Sequence, residues 1–292
     1  MTTTTQIPRQ LRVAIDKAQT TLADAGVPSP RHDAEALAAF VIGCPRGRLL
    51  MAGDFSAGQH TVFSELVARR ASRVPLQHLT GAAAFRYLEV AVGPGVFVPR
   101  PETEAVAGWC IDALLEGDLA QPLVVDLCTG SGAIALSIAQ EVKGAVVHAV
   151  EREEPAVEWA RRNATGTRVT VHQGDAAHAL HEFDGLVDLV VANPPYLPES
   201  DRDLVDPEVR DHDPGAALWG GPDGLEGPRM IEAAARRLLK PGGLVAVEHA
   251  DHQGSAVARL FGESGASGYW EHVAVRQDLA GRDRFVTARL TS

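Results

Sequence analysis

The chain has 292 residues, 45% of them apolar and 22% charged, with a formal net charge of -11. This is the composition of a globular protein with room for one large domain, or a domain plus a smaller one, and its acidity argues against broad contact with a phosphate backbone. Cys44, Cys110 and Cys128 are too few and too scattered for a disulfide framework or a zinc site, residues 1–10 lack the apolar core of a signal peptide, and no uninterrupted apolar run reaches membrane length, so a reducing cytosol is expected.

Residues 1–10 read as a frayed tail. Apolar spacing predicts helices over 11–25, 30–42 and 61–73, with a shorter helical piece over 46–51. Gly26 is placed to end the first helix, and Ser29 and Pro30 to open the second as N-cap and first residue. Together they make an all-helical domain, bounded at 1–80, which serves either as a packing cap or as a partner-binding module. Pro75-Leu76-Gln77-His78-Leu79-Thr80-Gly81 interrupts the helical pattern. Segments 87–92 and 96–98 flank Gly93-Pro94-Gly95, which predicts a hairpin inside a linker over 81–100. After Pro99-Arg100-Pro101-Glu102-Thr103-Glu104 a helix runs to about 115, its acidic first turn suited to the helix dipole.

From Pro122 the pattern alternates. Strands are expected at 123–127, 145–150, 168–172, 186–192 and 244–248, helices at 133–141, 154–163, 230–239 and 253–263, and two closing strands near 269–275 and 284–289. The fold class is therefore α/β, a parallel sheet with helices on both faces, over a domain set at 101–292. Segment 197–228, rich in Asp, Pro and Gly, reads as a long loop; such loops are usually functional lids or disordered.

Two stretches carry chemistry. Asp126-Leu127-Cys128-Thr129-Gly130-Ser131-Gly132 follows the first strand of the alternating region and opens a helix, a place where glycine lets the backbone turn tightly against a ligand. Glu151 ends the next strand, 19 residues after Gly132, and there a carboxylate suits the hydroxyls of a ribose. Asp175 follows the third strand. Gly130-x-Gly132-x-x-Ala135 also fits a loose dinucleotide fingerprint. A carboxylate at Asp126 would repel a pyrophosphate, however, and suits the cationic sulfonium and ammonium of S-adenosyl-L-methionine. The second stretch is Asn193-Pro194-Pro195-Tyr196, at the tip of a Val-rich buried strand and on the same carboxyl edge. Both prolines restrict the residue before them and end the strand. Asn193 Oδ1 and the Pro194 carbonyl are suited to accept the two N–H bonds of a planar amino group, and Tyr196 to pack flat on it. The tetrapeptide alone leaves amide and exocyclic base amine open as acceptors. His249 and His252 near Glu248 read as solvated or hydrogen-bonded rather than as a metal pair, and Cys128 as a small loop residue rather than a nucleophile.

The chain resembles the HemK/PrmC family of protein-(glutamine-N5) methyltransferases over nearly its whole length. The resemblance is carried by 75–81, by Phe97-Val98-Pro99-Arg100-Pro101-Glu102-Thr103-Glu104, by the loop 126–132, by Asn193-Pro194-Pro195-Tyr196, by Gly221-Pro222-Asp223-Gly224-Leu225 and by Asp278-Leu279-Ala280-Gly281-Arg282-Asp283-Arg284. It implies a class I methyltransferase, Rossmann-like with a mostly parallel seven-stranded sheet, and an N-terminal helical domain that helps bind the substrate. It implies S-adenosyl-L-methionine as cofactor and the glutamine of the Gly-Gly-Gln motif in peptide chain release factors as acceptor. Carried over, the donor meets Asp126, Cys128, Thr129, Gly130, Ser131, Gly132, Glu151, Asp175, Ala176 and Asn193, and the glutamine meets Asn193, Pro194, Pro195 and Tyr196, with Asn193, Pro194 and Tyr196 as the catalytic set. The family often has Gly where Cys128 stands, commonly Tyr at His78, and often Glu-Ile-Gly at Glu248-His249-Ala250. The expected protein is a cytoplasmic monomer without metal, membrane attachment or stable nucleic-acid partner. The rivals are an adenine or guanine amino-methyltransferase, which would want a basic target surface, a non-catalytic donor-binding protein, and a nicotinamide oxidoreductase.

Overall fold

The computed structural model describes residues 8–262 and 268–291, in two compact units. The tail at 1–7 and the expected helix end at Glu263 lie outside the described residues.

The first unit holds the residues up to Ala82 together with Asp206–His212. Its helices are α1 (Arg9–Asp24), α2 (Pro30–Ile42), α3 (Ala57–Ala71) and α4 (Leu76–Thr80), with a 3-10 turn at Arg46–Met51. Leu11, Ile15 and Leu22, one face of α1, meet Leu37, Leu49, Phe63 and Leu66 in a closed core. Pro30 opens α2 as expected, but the Ser29 side chain makes no capping bond. The working cap is Ser56, in a reciprocal pair with Gln59 that starts α3 ahead of position 61. Segment 75–81 forms the short α4 instead of breaking the pattern: Pro75 precedes its first turn and Gly81, at φ 80°, ends it.

The second unit contains the sheet. It begins with a two-stranded hairpin, β1 (Ala82–Phe85) and β2 (Leu88–Ala91), so the turn is Arg86-Tyr87 and not Gly93-Pro94-Gly95, and 96–98 is not a strand. Arg86 takes the left-handed φ of 51° without being glycine. Its guanidinium is fixed by both oxygens of Glu141 at 2.7 Å, a tertiary anchor with no local sequence signature. Then follow α5 (Thr103–Glu116), β3 (Leu123–Leu127), α6 (Ala133–Glu141), β4 (Val146–Glu151), α7 (Glu154–Ala164), β5 (Val169–Gln173) and β6 (Val187–Ala192).

The segment after β6 is more structured than a loop. It holds 3-10 turns at Glu199–Asp201 and Gly215–Ala217, a Leu197–Trp219 bridge, and α8 (Pro207–His212). α8 belongs to the helical unit. Arg70, 3% exposed, bonds Asp33 Oδ2 and Glu208 Oε1, each at 2.7 Å, while Arg73 bonds Asp206 Oδ1 at 2.9 Å. The chain closes with α9 (Glu226–Leu238), β7 (Leu239–Glu248), α10 (Gly254–Gly262), β8 (Trp270–Gln277) and β9 (Asp283–Leu290). α9 starts earlier than 230 because Pro228 falls in its first turn, where a backbone N–H is not needed. β7 starts earlier than 244 and carries a bulge: Val187 pairs with Leu239 but Leu189 with Leu244.

The sheet order is β5-β4-β3-β6-β7-β9-β8. Strands β3 to β7 are parallel, and β9 is antiparallel to both neighbours. Alternation puts Val124, Leu189, Val191 and Ala246 on the face covered by α5 and α6, and Val125, Leu127, Val190, Val245 and Val247 on the face covered by α9 and α10. After β3 the chain fills the β4 and β5 side; it then returns to the other side with β6. That reversal places a crevice at the carboxyl ends of β3 and β6. Among the described residues no helix is long and apolar enough to cross a membrane.

Candidate active site

The predicted site residues fall on four adjacent strand ends: 126–132 at β3, Glu151 at β4, Asp175 and Ala176 after β5, and 193–196 after β6. The turn from β3 to α6 uses three left-handed residues, Cys128 (φ 60°), Gly130 (φ 56°) and Gly132 (φ 87°). A Cβ on Gly130 would meet nothing within 4 Å, so torsion and not crowding calls for glycine there. Cys128 bears the strain that a Cβ adds in this region, roughly 1–2 kcal/mol. Cys128 is half-buried, and burial pushes its thiol pKa up, which favours the protonated thiol. The loop is tied to its neighbours by Thr129 N–H to the Val150 carbonyl (3.0 Å) and Gly130 N–H to Glu151 Oε2 (2.9 Å).

Asp126 does not face the crevice. It is 0% exposed, and its Oδ2 accepts from the Thr129 hydroxyl at 2.5 Å and from Ala135 N–H at 3.2 Å in the first turn of α6. It braces the loop and the helix start, where Gly132 supplies no side-chain cap. Burial raises its pKa to about 7 against these two bonds, and Oδ1 is enclosed without a hydrogen-bond partner. Glu151 is also partly committed: besides Gly130 it accepts from Arg152 N–H (2.8 Å) and Glu153 N–H (3.0 Å) at Oε1. Of roughly four acceptor positions on a carboxylate, about one is left for a ribose hydroxyl without rearrangement. Asp175 is exposed and Ala176 buried beside it; Asp175 Oδ1 accepts from Ala177 N–H at 2.9 Å.

The tetrapeptide is held from outside. Asn193 is half-buried and Pro194 buried at the end of β6. A Cβ on Gly227 would lie 2.3 Å from the Pro195 carbonyl oxygen, one on Gly220 2.7 Å from that same oxygen, and one on Gly224 2.4 Å from the Tyr196 carbonyl oxygen. The segment containing Gly221-Pro222-Asp223-Gly224-Leu225 is thus a backbone cradle that admits no side chain toward the prolines. Gln253 Nε2 donates to the Tyr196 carbonyl at 2.8 Å, and its Oε1 accepts from Ala250 N–H at 3.0 Å. The Tyr196 hydroxyl donates to Glu248 Oε1 at 3.3 Å. Burial, then the Glu248 charge, drives the phenol pKa upward, so Tyr196 stays neutral.

Behind the tetrapeptide lie groups that sequence reasoning did not assign. Burial raises the Glu248 pKa to about 7, opposed first by the Thr103 hydroxyl and then by Arg284. Thr103 is near enough to act on that carboxyl, and both Thr103 Oγ1 and Glu248 Oε2 are enclosed without a hydrogen-bond partner. Arg284 is held by Asp278 Oδ2 through Nε and Nη2, both at 3.3 Å. Arg100 pairs with Asp213 Oδ2 at 2.6 Å and stacks on Phe97. The motifs 97–104 and 278–284 therefore both supply support at this site. The charged residues of the two motifs were the available signal, but Arg100 finds its partner Asp213 far away in sequence. His249 is fully buried and hydrogen-bonded through Nδ1 to the Ala250 carbonyl at 2.8 Å, whereas His252 is exposed near Asp251. A cavity of about 340 Å³ between β2, α6 and α7, bordered by Leu88, Leu136 and Arg168, contains none of the predicted site residues.

A doubly wound sheet with a Gly-rich loop at its switch point, an acidic end on the next strand and Asn193-Pro194-Pro195-Tyr196 beside it defines an S-adenosyl-L-methionine-dependent methyltransferase. A methyltransferase-domain family model matches 124–212, and a PrmC N-terminal domain model matches 14–81. A Streptomyces coelicolor protein named release factor glutamine methyltransferase is 55% identical over 281 residues, covering 96% of this chain and 98% of that protein. A Streptomyces pristinaespiralis protein named 4-amino-L-phenylalanine/4-methylamino-L-phenylalanine methyltransferase is 41% identical over 91% of each chain. A solved methyltransferase from Pyrococcus furiosus matches in fold, with a TM-score of 0.51 at 21% identity over 77% of this chain and 99% of that one. The chain belongs to the release factor glutamine methyltransferase family.

Proposed function

We propose that the protein transfers a methyl group from S-adenosyl-L-methionine to the side-chain amide nitrogen of the glutamine in the Gly-Gly-Gln motif of peptide chain release factors. The observation that carries this reading is the clamped Asn193-Pro194-Pro195-Tyr196 beside the Gly-rich loop, within a chain 55% identical to a release factor methyltransferase. The methyl donor supplies an electrophilic methyl group on a sulfonium. Cys128 to Gly132 offer backbone to it, Glu151 and Asp175 offer carboxylate acceptors for its hydroxyl and amino groups, Ala176 lines it and Asn193 borders it. Asp126 acts one step back, through the loop.

The amide nitrogen is a poor nucleophile because its lone pair is delocalised. Asn193 Oδ1 and the Pro194 carbonyl accept its two N–H bonds, aim the nitrogen, and become stronger acceptors as positive charge develops on it. Tyr196 packs on the amide plane, and Pro195 stiffens the chain between them. The helical unit serves recognition of the release factor, over a domain set at 1–80 ahead of a linker to 100. A cytoplasmic monomer with no stable nucleic-acid partner fits the net charge of -11.

The relative that acts on an arylamine favours one competing acceptor, a free aromatic amine on the same tetrapeptide. Labelled S-adenosyl-L-methionine offered with a release factor, its Gln→Ala variant, or 4-amino-L-phenylalanine separates the readings. Label on the intact release factor alone is expected. Label on the arylamine alone, or equal label on both release factors, contradicts the proposal.

A further inference from the structure

Tyr196 is fixed at both ends, by Gln253 on its carbonyl and by Glu248 on its hydroxyl. Glu248 is the last residue of β7, one strand from the tetrapeptide, and it is 1% exposed. A carboxylate at that depth, with one oxygen lacking any hydrogen bond, weakens the fold unless something else requires it there. Its surroundings are arranged for Tyr196. Thr103 lies against it from the start of α5, Glu102 adds a like charge, and Arg284, held by Asp278, acts electrostatically on both Glu248 and Tyr196. The Tyr196–Glu248 hydrogen bond thus joins the end of β7 to the ring of the acceptor tetrapeptide.

We infer that Glu248 is a positioning residue for methyl transfer: through the Tyr196 hydroxyl it sets the angle of the ring on which the acceptor amide lies. This rests on the glutamine-acceptor reading. An amide that must present its nitrogen in line is sensitive to a small rotation of the surface beneath it, so loss of Glu248 acts on turnover and leaves the donor loop, shaped by other groups, intact.

The test is a double-mutant cycle with Glu248→Leu, which removes the acceptor at similar volume, Tyr196→Phe and both together. It measures kcat and KM for the release factor, with donor affinity by calorimetry. Each single change is expected to lower kcat about tenfold or more, the double change no further than the stronger single one, and donor affinity to move less than about twofold. Losses that multiply in the double variant, or donor affinity falling in step with kcat, overturn the assignment. Should Glu248→Leu not fold, Tyr196→Phe decides alone, because it removes only the hydroxyl; full kcat in that variant overturns the role. Absence of wild-type activity on the release factor counts against the function, whereas wild-type activity with indifferent variants counts against Glu248 alone.

Discussion

The donor loop at 128–132 is shaped largely from within. Its path follows from left-handed torsions at Cys128, Gly130 and Gly132, and its bonds reach adjacent strand ends, Asp126 just before it and, from α7, Asn163 on the Ser131 carbonyl. The tetrapeptide 193–196 is shaped from outside, by the glycines at 220, 224 and 227, by Gln253 and by Glu248. A ligand loop can be local because backbone torsion suffices to bare it. A surface that aims a weak nucleophile has to be rigid, and two consecutive prolines offer no N–H groups for rigidity through a ladder. The cradle of close backbone contacts supplies it. Substitutions near 193–196 should therefore alter turnover, and substitutions near 128–132 should alter donor binding or stability.

The largest separation is expected at Asn193. Asn193→Ala should lower kcat roughly 10²–10³-fold, as loss of one aimed polar group does, with a much smaller change in donor affinity; a loss confined to donor affinity breaks the contrast. Gly227→Ala comes next. Its Cβ would fall 2.3 Å from the Pro195 oxygen, so the cradle must shift at a cost of about 1–3 kcal/mol. Steady-state kinetics should show kcat falling more than donor affinity, and an unchanged kcat would show that the cradle does not set the tetrapeptide.

On the donor side the effects are smaller and appear in stability. The Asp126 carboxyl is raised to about 7 in the fold, against an ordinary value of about 3.9 in the unfolded chain. The folded state therefore holds that proton more tightly, and the stability it contributes, full below about pH 4, is lost as pH rises through about 7. Thermal melts should show Asp126→Asn with a flatter profile across that window than the parent; an unchanged slope assigns the dependence to other groups, Glu248 first. The smallest change is Cys128→Gly. Relief of roughly 1–2 kcal/mol of torsional strain, offset by about 0.5–1 kcal/mol of added chain entropy, leaves a gain of about 0–1.5 kcal/mol. A clear loss in a denaturant titration would mean that the Cys128 side chain packs more than it strains.

The two regions also differ in how legible they were. Strand–helix alternation, the loop 126–132 and the acidic end at Glu151 follow from periodicity and glycine placement, and β3 and α6 fall at the expected residues. The hairpin was misplaced because Gly93-Pro94-Gly95 is the stronger local turn signal, while the actual turn depends on Arg86 reaching Glu141. α8 was read as loop because six residues carry little periodicity, and its partners Arg70 and Arg73 lie in α3 and just after it. The strand position of Asp126 is legible, but its burial beneath α6 is tertiary. Glu248 and Gln253 gave no signal as servants of Tyr196, since nothing in a chain announces which distant carbonyl or hydroxyl a side chain will hold.

The most direct measurement is tandem mass spectrometry of a release factor incubated with the protein and S-adenosyl-L-methionine, carried out with the parent and with Asn193→Ala. The account predicts one methyl group on the side-chain amide of the Gly-Gly-Gln glutamine with the parent, and near loss of it with the variant. A methyl group on any other residue, or one that survives in Asn193→Ala at the parent's rate, would contradict it.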